Sequence, residues 1–354
     1  MALAASFKRY LPWTQTPLII NAPMSGVATS DLAVAVTRAG GLGQIGFMDN
    51  MRALSSQLET VRHELQDLMA SLSDPQQLPI GVGVIVYGSP LGDWMQLFAT
   101  YKPAVAWLSF ASTEDLRVWT EAIRYSSPAT KVWIQLGCVR DALDVAKACH
   151  PDAMVLQGSD AGGHGLAKGA SIISLIPEVA DALEELEIKD IPLIAAGGIV
   201  DGRGSAAALA LGASGVVMGT RFLAATEARI PNVYRDAILQ ASDGGEATAR
   251  SRIFDEIWGP NFWPQKYDGR CLRNKFYDQH MAGVPINNIR SWLSSVMNSE
   301  EEKGEAKELM GQDMGSIWAG TGVGLIKRLG NAGDFVREVR EDTGKRLTRA
   351  TLSL

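Results

Sequence analysis

Two apolar runs late in the chain end in glycine and are joined by a helical pattern. Ile191-Pro192-Leu193-Ile194-Ala195-Ala196 runs into Gly197-Gly198, and Gly215-Val216-Val217-Met218 runs into Gly219-Thr220-Arg221-Phe222. Between them, residues 202–211 are alanine-rich and stop at Gly212, as a helix ends at glycine. Strand, helix and strand, with glycine after each strand, is how a β/α barrel builds a phosphate site from its last two loops. The backbone N–H groups of Gly198 and of the Gly219-Thr220 turn would grip a phosphate dianion there.

The rest of the chain repeats this alternation. Strands are expected at 18–22, 41–45, 80–86, 105–110, 132–136, 153–157, 193–196 and 215–218. Helical patterns fill 31–39, 52–71, 91–101, 113–125, 140–148, 173–187 and 202–211. Strands this apolar, interleaved with helices, imply a parallel sheet covered on its outer face. Eight of them predict an α/β fold closed as a (β/α)8 TIM barrel rather than an open sheet. No G-x-G-x-x-G follows the first strand, which argues against a Rossmann domain.

The chain has 354 residues, and a barrel needs about 250, so there is room for an extra lobe. After Phe222 the alternation stops, and aromatics and arginines take over, including Trp258, Phe262, Trp263 and Tyr267. This stretch predicts a small, mostly helical lobe at 230–315, inserted near the carboxyl end of a barrel made of 1–229 and 316–354. Its aromatic cluster reads either as the core of that lobe or as a wall over the site. The run 300–305 is charged and reads as a solvated surface. The apolar, glycine-bearing run 317–326 is expected to return to the barrel as its closing helix.

A net charge of -6 and the absence of a basic stripe argue against a nucleic-acid partner. Cys138, Cys149 and Cys271 have no metal-like spacing and fit a reducing compartment. No apolar run is long enough to span a membrane, and the first ten residues lack a signal-peptide core. A soluble cytoplasmic protein is the expectation, with no metal and with its oligomeric state left open.

The chemistry points to Gln157-Gly158-Ser159-Asp160-Ala161-Gly162-Gly163-His164-Gly165, which follows the strand-like run 153–156. Glycine lets backbone approach a ligand closely, and an imidazole carries a mobile proton near neutral pH. A glycine scaffold holding one histidine past a strand end reads as a catalytic loop, against the alternative of a turn whose histidine faces water. His63, His150 and His280 sit in helical, turn or lobe contexts and read as structural or solvated.

Five motifs in order carry a resemblance: Asn21-Ala22-Pro23-Met24-Ser25-Gly26, Ala39-Gly40-Gly41-Leu42-Gly43, Ala161-Gly162-Gly163-His164, Ala196-Gly197-Gly198-Ile199 and Met218-Gly219-Thr220-Arg221-Phe222. Together they resemble the nitronate monooxygenases, formerly 2-nitropropane dioxygenases. The resemblance implies an FMN-dependent TIM barrel that oxidises alkyl nitronates with O2 to carbonyl compounds and nitrite, and it leaves open whether nitroalkanes are substrates too. It makes His164 the catalytic base or electrostatic partner. It places FMN against Ala22, Pro23, Met24, Ser25, Gly83, Gln135, Gln157, Asp160, Ala161, Gly162, Gly163, Gly197, Gly198, Gly219 and Thr220. Gly83 stands where many relatives carry Asn, and Asp160 where many carry Glu.

Several roles stay double. Gln135 either donates to the flavin ring or is a polar residue of the barrel interior. Asp160 either accepts a ribityl hydroxyl or caps its own loop. Arg221 either reaches the phosphate or makes an ion pair. The rival activity is a flavin-dependent NAD(P)H enoyl-thioester reductase of fatty-acid synthesis, which needs the same FMN cradle. A flavin-binding protein without catalysis is a third reading, and the His164 loop argues against it.

Overall fold

The computed structural model describes residues 7–298 and 315–352. Its strands are β1 (Leu18–Asn21), β2 (Gln44–Ile45), β3 (Leu78–Ile85), β4 (Pro103–Ser109), β5 (Lys131–Leu136), β6 (Ala153–Gln157), β7 (Gly163–Leu166), β8 (Leu193–Ala196), β9 (Gly215–Met218), β10 (Thr248–Ser251) and β11 (Tyr267–Leu272). Eight of these lie side by side in the order β1-β9-β8-β6-β5-β4-β3-β2, all parallel. A bridge from Ile20 to Leu42 closes the ring between its two ends. The expected TIM barrel is the architecture observed.

Alternation along each strand explains the two cores. Leu18, Ile20, Val105, Trp107, Trp133, Val155, Ile194 and Val217 fill the barrel interior, joined at its amino end by Phe7 and Leu11. Their strand neighbours Ile19, Ala106, Val132, Met154 and Val216 face outward onto the helices. Side chains two apart share a face of a strand, so one short apolar run supplies both layers. The helix Ala332–Leu352 packs on Gly202–Ala210 and Ser30–Arg38, covering the seam beside β1.

Three expectations change. The helix expected over 52–71 is two helices, Met51–Glu64 and Gln66–Met69, parted at Leu65. Leu54, Leu58, Val61, Leu65 and Met69 are all buried, so the apolar spacing runs straight through the break. The return segment is not the closing helix: Thr321–Leu325 is one short 3-10 turn, and the closing helix starts at Ala332. The lobe contains helices but also a sheet, in which β11 pairs antiparallel with both β10 and β7. The charged run 300–305 lies outside the described residues.

Candidate active site

Most barrel strands stay buried until their carboxyl ends, where the chain becomes partly exposed at one shared mouth. This happens at Ala22, Pro23 and Met24 after β1, at Gln157 ending β6, at Gly197 and Gly198 after β8, and at Gly219 and Thr220 after β9. Gly197 and Gly198 have φ of 116° and 72°, values closed to most side chains. The backbone N–H groups of Gly198, Gly219 and Thr220 have no protein acceptor among the described residues. Three free donors at two adjacent strand ends are of a kind that suits a dianion.

The other expected cofactor residues gather around the same mouth. A Cβ on Gly219 would touch Ala22 Cβ and Met24 Sδ at 3.5 and 3.9 Å, and one on Gly83 would lie 2.4 Å from Pro23 Cβ. Ser25 turns away and donates its hydroxyl to the Phe47 carbonyl at 2.9 Å. Gln135 is bonded within the barrel interior and also lines the site's cavity. It accepts from Trp107 Nε1 at 3.2 Å and donates to Gln157 Oε1 at 3.0 Å. Gln157 in turn donates to the His164 carbonyl at 3.0 Å. This relay ties the barrel interior to the histidine backbone. A cavity of about 70 Å³ opens beside it, lined among others by Phe110, Gln135, Gln157, Leu166 and Tyr267.

Asp160 is tied to the return segment rather than to its own loop. Its side chain accepts from the Thr321 hydroxyl at 3.2 Å, and its carbonyl accepts from Thr321 N–H at 3.0 Å. Gly320 N–H donates to the Thr220 hydroxyl at 3.0 Å. Ala161 is buried, and Gly162 packs against Ala319 and Gly320. The return segment thus crosses the glycine ends of β6, β8 and β9 together. Arg221 turns elsewhere: its guanidinium lies 3.7 Å over the Phe335 ring, and burial lowers its pKa. It lines a separate cleft of about 320 Å³ beside the closing helix.

His164 is not in a loop. Gly163, at φ 74°, turns the chain into β7, where His164 lies opposite Gly269 of β11. The loop pattern conceals this strand because its partner is about a hundred residues away. His164 Nε2 sits 2.9 and 3.1 Å from the two carboxylate oxygens of Asp255. Its ring stacks on Trp263 at 4.3 Å and 22° and tilts against Trp318 at 4.5 Å. Both partners of the ion pair are shielded, with side chains 17% and 15% exposed. Of the aromatic cluster, Trp263 is buried against His164 and Phe110, whereas Trp258 and Phe262 are exposed.

The lobe also grips the turn before β7. Arg270 donates to the Ser159 carbonyl at 3.1 and 3.2 Å, and Arg250 reaches the same oxygen at 3.4 Å. Arg250 is paired with Asp268, whereas burial, reinforced by the nearby Arg250 charge, lowers the Arg270 pKa. Asp255, Trp318, Arg250 and Arg270 do not stand out in the sequence, and only Trp318 lies in a run with a visible pattern. His63, His150 and His280 are exposed.

A family description, nitronate monooxygenase, matches residues 85–342. The nitronate monooxygenase npaC of Metarhizium robertsii is 39% identical over 97% of this chain and 96% of its own. A nitronate monooxygenase of Neurospora crassa is 37% identical, covering 98% and 94%. The chain belongs to the nitronate monooxygenase family. It is therefore an oxidoreductase of a flavin-dependent family. In three dimensions it is similar to FabK from Thermotoga maritima, at a TM-score of 0.73 and 25% identity over 99% of each chain. Among the described residues no helix is long and apolar enough to cross a membrane.

Proposed function

We propose that this nitronate monooxygenase binds FMN and oxidises small alkyl nitronates, and nitroalkanes, with O2 to carbonyl compounds and nitrite. The observation that carries the reading is His164, held by Asp255 and two tryptophans at the mouth where the glycine ends of β6, β8 and β9 converge. Gly198, Gly219 and Thr220 would hold the phosphate through their N–H groups, with Ala22, Pro23 and Met24 along the ring and Gly83 beneath Pro23. Bound FMN supplies the redox chemistry.

The chain's own work is positioning and proton transfer. His164 takes a proton from the carbon beside the nitro group of a neutral substrate. Trp263, Trp318 and Phe110 give an apolar surround that favours an alkyl tail over water. Gln135 and Gln157 keep the β7 backbone in place through their relay.

The test is the absorbance of the holoenzyme titrated with ethyl nitronate without oxygen. Bleaching of the flavin band, with nitrite formed once O2 is admitted, supports the reading. A spectrum that ignores nitronate and bleaches with NADH overturns it in favour of the enoyl-thioester reductase.

A further inference from the structure

We infer that Asp255 is the positioning residue of His164: it fixes the imidazole with its proton on Nε2 and leaves Nδ1 to take the substrate proton. The reaction it serves rests on the function proposed above; the geometry does not.

Nε2 lies within hydrogen-bond distance of both carboxylate oxygens, at 2.9 and 3.1 Å. A lone pair aimed at a carboxylate is repelled, so Nε2 carries hydrogen in the neutral ring as well as in the charged one. Nδ1 has no partner among the described residues. Rotation of the ring to exchange the nitrogens is opposed by the Trp263 ring stacked at 4.3 Å and the Trp318 ring at 4.5 Å. The carboxylate is itself anchored, because Ile253 and Phe254 of its short helix are buried with Cys271 in the lobe. Its helix neighbours Arg252 and Glu256 pair with each other, and the only ion pair of Asp255 among the described residues is with His164.

The proton step balances simply. The C–H bond breaks, Nδ1–H forms, and the electron pair moves onto the nitro group. The new charge on the ring is met by Asp255, which keeps its own charge. The pair goes from -1 to neutral beside a substrate that goes from neutral to -1, and such a hydrogen-bonded orienter also selects the tautomer. A preformed nitronate has no proton to give up and should not need the arrangement.

Asp255→Asn holoenzyme separates these cases. Its amide can donate to Nε2 and so favour the other tautomer. Its kcat for nitroethane should fall about 100-fold, within the usual range for general-base catalysis, while kcat for ethyl nitronate changes less than about threefold. Asp255→Glu should recover part of the nitroethane rate. An unchanged nitroethane rate, an equal loss on both substrates, or a wild-type enzyme that takes only the nitronate overturns the inference. Should Asp255→Asn not fold, 15N NMR of histidine-labelled wild-type holoenzyme decides: a neutral His164 protonated at Nε2 supports it, and one protonated at Nδ1 overturns it. A wild-type protein that oxidises neither substrate ends the proposed function, and the tautomer alone then decides whether Asp255 positions the ring.

Discussion

The barrel mouth and the lobe build the two halves of this site with different materials. Around the glycine ends of β8 and β9 the barrel offers backbone N–H groups and small residues, with little side-chain chemistry. Around His164 the lobe offers side chains, a carboxylate, one indole and two guanidinium groups on the preceding turn, and the return segment adds the Trp318 indole. Backbone suits a phosphate, whose recognition needs donors in a fixed curve and no particular side chain. A base needs its ring oriented and its second nitrogen occupied, and here a side-chain carboxylate lies against that nitrogen. The lobe is joined to His164 through the β7–β11 ladder.

If that division holds, His164→Ala should give the largest effect and confine it to one half. Nitroethane turnover should drop by about 10²–10⁴-fold, with the flavin content per chain unchanged in the purified protein. Loss of flavin with the histidine would mean the two halves are not separable.

A matched pair of glycine variants sharpens the contrast. A Cβ on Gly269 would fall 2.1 Å from Trp318, and one on Gly83 would fall 2.4 Å from Pro23. Each overlap must be relieved by movement, at a cost of about 1–3 kcal/mol in a packed setting. Gly269→Ala should shift the indole against His164 and lower nitroethane kcat about tenfold, with FMN affinity kept. Gly83→Ala should do the reverse, weakening FMN binding about tenfold, or ~1.4 kcal/mol, with near-normal kcat at saturating FMN. Titration of apoprotein with FMN, beside kcat at saturation, reads both. Exchanged outcomes would break the comparison.

The same division explains what was legible in the sequence. Barrel strands, their order of glycine ends and the His164 turn could be read because each depends on a contiguous stretch. Continuous apolar runs give the strands, and Gly197-Gly198 and Gly219-Thr220 mark their partly exposed carboxyl ends. Asp255 was illegible because nothing about Ile253-Phe254-Asp255-Glu256 differs from any amphipathic turn, and its partner lies 91 positions earlier. The β7 strand was hidden for a like reason. Gly163-His164-Gly165-Leu166 has no strand propensity of its own and exists only because β11 lies beside it. Asp160 and Gln135 hold protein groups whose positions no local pattern announced: Thr321 lies 161 positions from Asp160 and Gln157 lies 22 from Gln135.

The smallest effect belongs to a barrel aspartate, and it contrasts with Asp255. Asp201 caps the helix Gly202–Ala210, accepting from the N–H groups of Arg203 at 2.8 Å and Gly204 at 3.2 Å. Burial raises its carboxyl pKa, but the Arg203 guanidinium and those two N–H groups outweigh burial and hold it below the ordinary value. A pKa depressed on folding adds stability above the unfolded value, near ~3.9, and loses it as pH falls through the folded one. Asp201→Ala should therefore cost about 1 kcal/mol at pH 7. That deficit against wild type should shrink below about pH 4, as the wild-type carboxyl itself takes up a proton. Urea melts at pH 7 and pH 3 measure both. Turnover of nitroethane should not change, because Asp201 steadies the helix after Gly197-Gly198 and touches nothing around His164. A slower Asp201→Ala enzyme with full FMN content would mean that the barrel half also orients the base, and the separation drawn between the two regions would fail.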